Sequence, residues 1–152
     1  MVLAATVAAF VLAAQRPMNA QVAEALVANL LHNIYRAFDF RQDEQIYDVL
    51  AQSVSGDLLT RIYVETKQGL VLQNQGGARA KVKSVELERL EAMDYRRGVL
   101  TVKADWLVNG AVGHWGHVHQ RVNRYRAELT LAAEARRWTL QDIEVLQEER
   151  VQ

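Results

Sequence analysis

The chain has 152 residues, enough for one domain with its own hydrophobic core. Lysine plus arginine and aspartate plus glutamate both number 18, so there is neither a basic nucleic-acid footprint nor an acidic solvating tail, and no nucleic-acid partner is expected. Cysteine is absent, which excludes disulfides, thiol nucleophiles and thiolate ligands and leaves only imidazole or carboxylate to hold a metal.

The first fourteen residues, MVLAATVAAFVLAA, carry no charge, and Gln15, Arg16 and Pro17 end the run. As a helix rising ~1.5 Å per residue this stretch reaches about 21 Å, short of the roughly 30 Å hydrocarbon core of a bilayer. A secretory signal would place basic residues ahead of the apolar run, and Arg16 alone is too little charge to set an orientation. The segment reads as the end of a membrane span, an atypical signal or anchor, or a buried N-terminal helix. An all-round apolar helix needs an apolar surrounding. The preferred organisation is therefore residues 1–17 as a membrane-anchor or signal-like segment and residues 18–152 as a single α+β domain.

After Pro17, Val22, Leu26, Leu30, Ile34 and Phe38 recur every four residues and are joined by Val27 and Leu31, which predicts a helix capped near Asn19. FDFRQDEQIYDVLAQSV predicts a second, short helix with Asp43 as its cap and Ile46, Tyr47, Val49 and Leu50 as its apolar residues. SGDLLTRIYVETKQGLVLQN predicts a third, capped by Ser55, with Asp57 placed to suit the helix dipole and Leu59, Ile62, Tyr63, Thr66 and Leu70 facing inward. Gly76 and Gly77 close the helical half. Tyr35, Tyr47 and Tyr63 read as packing residues.

From Lys81 the period changes to two. In VLTVKADWLV, Leu100, Val102, Ala104, Trp106 and Val108 alternate with Thr101, Lys103 and Asp105, which predicts a strand with one core face. In the strand before it, Val85 and Leu87 stand in one phase and Val82 and Leu90 in the other, which predicts bulges. YRRG predicts a tight hairpin between these two strands. NGAVGHWG, with Asn109, Gly110, Gly113 and Gly116, predicts a longer, looser connection to a third strand, HVHQRVNRYRAELTL. RRWTLQDIEVLQEERV predicts a fourth strand with a bulge near Gln141 and Asp142, where Trp138 and Leu140 slip phase against Ile143 and Val145. Helices followed by antiparallel strands give an α+β fold, with the N-terminal helices packed on one face of a curved, bulged, four-stranded antiparallel sheet.

That order, together with the closing pattern YRAELTLAAEARRWTLQDIEVL and its Trp138, Leu140 and Ile143, resembles the nuclear-transport-factor-like (cystatin-like cone, SnoaL-like) superfamily over Gln21 to Val151. The resemblance implies a cone in which the concave sheet face and the helices surround a cavity. It does not choose a function, because members include isomerases, dehydratases and cyclases as well as non-catalytic scaffolds. Among the scaffolds are extracytoplasmic domains of bacterial secretion components tethered by one N-terminal helix, which the apolar start of this chain resembles most.

Three of the four histidines lie in VGHWGHVHQRVNRYR. If the third strand is unbroken, Tyr125, Ala127, Leu129 and Leu131 face the core, and Asn123, Arg121, His119 and His117 continue that face toward the mouth of the cone. As a ligand or partner site, His117, His119, Arg121 and Asn123 line the mouth and Trp115 offers an aromatic anchor from its glycine-flanked loop. As an enzyme, His119 or Asp105 is the general base and Arg121 or Asn123 the clamp, although alternation sets Asp105 opposite the Trp106 face. As a metal site, His117 and His119 supply an H-x-H pair and His114 folds back as a third ligand to a divalent ion, the one cofactor these residues could take. Arg121, Arg124 and Arg126 could instead pair across strands with Glu86, Glu88, Glu144 or Glu148. The preferred reading is a non-catalytic interaction or ligand-binding domain on the extracytoplasmic side of a bacterial membrane. Its expected partners are a protein or small ligand, the membrane through the N-terminal segment, and a second copy of the chain. The small-molecule enzyme and the histidine-ligated metal accessory domain are the alternatives.

Overall fold

In the computed structural model, which describes residues 18–75, 79–114 and 116–152, the change of period near Lys81 separates a helical layer from a sheet. The first helix, α1 (Ala20–Arg36), begins where Asn19 is extended and its Oδ1 accepts the Val22 N–H at 2.9 Å, the cap its sequence predicts. Ala23, Val27, Leu30, Leu31 and Ile34 form its buried stripe, and a 3-10 turn at Ala37–Asp39 ends its run.

One predicted cap is corrected. Asp43 is the first residue of α2 (Asp43–Ala51), not its cap; that position is Gln42, whose side chain makes no capping bond. The Asp43 carboxylate still lies in the first turn, where it suits the helix dipole, and accepts from Lys67 Nζ at 2.7 Å. Ser55 precedes α3 (Gly56–Asn74), but its hydroxyl lies 2.8 Å from that of Thr139, so it ties the helix start to the last strand. Leu58 and Thr66 are the buried residues of α3, while Leu59, Ile62, Tyr63 and Leu70 are half-buried. Among the described residues no helix is long and apolar enough to cross a membrane, and the proposed N-terminal anchor and the Gly76–Gly77 helix end fall outside those residues.

Strands β1 (Arg79–Arg96), β2 (Val99–His114), β3 (His117–Glu134) and β4 (Arg137–Arg150) form one antiparallel sheet in sequence order. Arg97 and Gly98, both at positive φ, make the predicted tight hairpin, and Ala135 and Arg136 do the same between β3 and β4. Such turns match the twist of the strands they join.

The mixed phase of β1 is resolved by register slips between Val82 and Ser84, Leu87 and Arg89, and Glu91 and Asp94. These bring Val82, Val85, Leu87 and Leu90 all to half-buried positions. In β4, Asp142 pairs with Thr130 and Leu140 with Leu131, so Gln141 is the extra residue and Trp138, Leu140 and Ile143 all turn inward. The loose connection predicted at Asn109–Gly116 is not found. The β2 and β3 register runs unbroken from Val99↔Ala132 to His114↔His117, leaving two residues between the strands. Gly110 is a strand residue whose missing side chain makes room, because a Cβ there would stand 2.8 Å from the Lys81 carbonyl oxygen.

The core lies between the helices and the inner sheet face. It holds the helix stripe, Ile46, Leu50, Val54 and Leu58, and from the sheet Leu100, Val102, Ala104, Trp106, Ala127, Leu129, Leu131 and Leu140. The result is the α+β arrangement expected: three helices on a four-stranded antiparallel sheet, in a cone-like form.

Candidate functional site at the open end of the cone

Along the inner face of β3, burial falls in steps on one strand. Leu131, Leu129 and Ala127 are buried, Tyr125 and Asn123 half-buried, and Arg121, His119 and His117 exposed. The sequence alternation therefore places all eight side chains on one face, and the reach of the helices decides which are covered. The last turn of α1 meets the sheet at Val82–Val85, where His32, Tyr35, Arg36 and Asp39 enclose a cavity of about 90 Å³. The hairpin of β2 and β3 continues past this point, and Val118 at its end is 69% exposed.

Where cover ends, the cone is filled by its own aromatic side chains. Trp106 is 2% exposed, stacks on Tyr125 with 5.6 Å between centroids, and donates its indole N–H to the Tyr35 hydroxyl at 3.1 Å. Burial pushes the Tyr35 phenol up to about 12, against the opposing effect of the Trp106 hydrogen bond. Burial also raises Tyr125, with the Glu148 carboxylate adding to it. From this stack a polar relay runs outward. Tyr125 donates to Glu148 at 3.2 Å, Asn123 donates to the Tyr125 hydroxyl at 3.2 Å, and Arg121 Nε donates to Asn123 Oδ1 at 3.4 Å.

The structure thus brings Arg121 and Asn123 together and adds Tyr125, Glu148 and Tyr35, while His117 and His119 stand farther out on the same row. Asp105 does not join them. It sits on the outer sheet face, accepting from Arg89 Nη2 at 2.7 Å and Nε at 3.0 Å with the Arg126 guanidinium 3.6 Å away. This is the side that the alternation with Trp106 predicts, and an acid there cannot share a substrate with His119. Arg126 pairs with Glu91, and Arg124 donates to Glu88 at 2.8 Å and reaches Glu149 at 3.8 Å, the cross-strand role expected for these arginines. Arg121 differs, since Asn123 is its partner.

Among the described residues no three histidine or acidic side chains are grouped to hold a metal, and the side chain of His114 and all of Trp115 lie outside them. Two neighbours take partners other than those the sequence suggests. Glu148 reaches Tyr125 only because β4 slips register at Gln141 and again between Val145 and Gln147, and Tyr35 was recognisable as a packing residue but not as the acceptor for Trp106.

No family model and no curated protein matches the chain. Among solved structures, the intermembrane-space region of the chloroplast protein ARC6 superposes with a TM-score of 0.61 at 14% identity, over 86% of this chain and 98% of that one. A de novo designed β-sheet protein solved by NMR gives 0.37 at 16% identity over 83% and 88% of the two chains. A designed nuclear-transport-factor-like protein gives 0.37 at 12% over 78% and 92%. The likeness to the ARC6 region is one of fold.

Proposed function

We propose that this chain is a non-catalytic interaction or ligand-binding domain displayed on the extracytoplasmic side of a bacterial membrane, with residues 1–17 as its anchor or signal. The observation that carries the reading is the filled interior. Tyr35, Trp106 and Tyr125 pack against one another on the inner sheet face, and the polar candidates stand on an open strand surface beyond them. Catalysis benefits from excluded water and converging groups. A surface of exposed side chains on a rigid sheet is better suited to recognition. The fourteen-residue apolar start supports membrane attachment, and the similar domain in ARC6 is itself the part of that protein found in an intermembrane space.

The test is to express the full chain and residues 18–152 in a bacterium and to compare membrane fractions after alkaline carbonate washing, with protease accessibility in spheroplasts. The reading expects the full chain to stay with the membrane and to be cut from outside, and the shorter form to be released. A full chain that washes off or is protected inside the cytoplasm contradicts it.

A further inference from the structure

We infer that the inner face of the sheet tip, exposed among the described residues, is a docking trough for an acidic polypeptide segment. The inference rests on the interaction-domain reading and names the chemistry of its partner. Register fixes the trough. His117, His119 and Arg121 pair with His114, Val112 and Gly110 on β2, and Val112 and Gly110 pair in turn with Ala80 and Val82 on β1. A row of long cationic or ionisable side chains therefore runs beside a floor of small ones. The floor is low because Gly110 can carry no side chain against the Lys81 carbonyl. At its inner end the trough meets the cavity beside His32 and Arg36, and Arg150, the register partner of Asn123, adds a cation on the β4 side.

Charge selects the occupant. On the outer face Arg89, Arg124 and Arg126 are each matched by carboxylates. Arg121 on the inner face makes no ion pair among the described residues, and its partner is the neutral amide oxygen of Asn123. Two carboxylates border the trough. Glu148 is held by Tyr125 and Asn123, and Asp39 lines the inner cavity. A guanidinium without an ion pair attracts carboxylates, and its planar fork can donate two N–H bonds to the two oxygens of one carboxylate. A second copy would bring the Arg121 guanidinium against itself. A flat bilayer meets the rim of a concave sheet face before its floor, whereas an acidic chain segment can lie along it.

The experiment uses the full chain in detergent micelles and a fluorescent twelve-residue glutamate-rich peptide, its glutamine counterpart and phosphatidylserine-containing vesicles as probes. The glutamate peptide binds and the glutamine peptide does not. Arg121→Glu weakens binding about ten-fold, Arg121→Lys, which keeps the charge and loses the fork, weakens it less, and Lys103→Glu on the outer face leaves it unchanged. Equal binding of both peptides, indifference to Arg121→Glu, or binding to vesicles alone overturns the inference. A photocrosslinker at Val112 in cells should give adducts that map to an acidic segment of another protein. Adducts formed only from Val64 on the exposed side of α3 overturn the trough and leave the interaction reading standing, and adducts from neither position overturn both.

Discussion

The two halves of β3 have the same alternation and the same inner face, yet one is core and the other surface. From Ala127 to Leu131 the inward side chains are buried in the core shared with the helices, whereas those of His117, His119 and Arg121 are exposed. The boundary falls at Tyr125 and Asn123, where an aromatic stack gives way to a polar relay. A strand decides which face a residue joins, and the length of the helix above it decides what that face is for. Covered positions stabilise the fold, and exposed ones present their side chains to the surroundings.

This contrast predicts a gradient of effects along the row. Trp106→Ala removes the largest fully buried side chain and the stack on Tyr125, and should cost about 3–5 kcal/mol in denaturant unfolding. A loss as small as that of a surface change would mean the cone is not closed where Trp106 stands. Gly110→Val places a branched side chain against the Lys81 carbonyl and should cost about 1–3 kcal/mol. A neutral effect would restore the loop predicted there.

At the boundary, Tyr35→Phe leaves the Trp106 indole N–H without its acceptor and should cost about 1 kcal/mol at neutral pH. The Tyr35 phenol is raised above its ordinary value to about 12, so the protonated form is the one favoured by folding. Its contribution is complete below pH 10 and is lost as pH rises through about 12. Stability should fall over that window and fall less steeply in Tyr35→Phe, with Tyr125, also raised, supplying the remainder. A profile unchanged by the substitution would show that Tyr35 titrates as an open phenol. Outermost, Arg121→Glu should alter the unfolding free energy by less than about 0.5 kcal/mol, as exposed positions do. A large loss there would move Arg121 into the structural half of the strand.

How much of this could be read in the residues follows from which forces act locally. The phase breaks among Val82, Val85, Leu87 and Leu90 and between Leu140 and Ile143 announced their bulges, because alternation fails where an extra residue enters. The side of the sheet taken by Asp105 and by His119 was legible for the same reason. The glycines at 110 and 113 misled, because a glycine that admits a neighbouring backbone and a glycine that makes a loop look alike in one dimension. Asp43 misled in another way, since it is the first residue of α2 and its carboxylate found a tertiary partner in Lys67. The cover over β3 was not legible at all. It depends on where α1 crosses the sheet, and neither the strand nor the helix carries that information alone.

The most direct measurement of the central claim is a two-dimensional amide NMR titration of the labelled protein with the glutamate-rich peptide. Docking on the trough gives shifts confined to His117–Asn123 and the facing residues Gly110–Val112, with the indole resonance of Trp106 unmoved. Shifts centred on Trp106, Tyr125 and Tyr35 with the tip unaffected would place recognition inside the cone and contradict it.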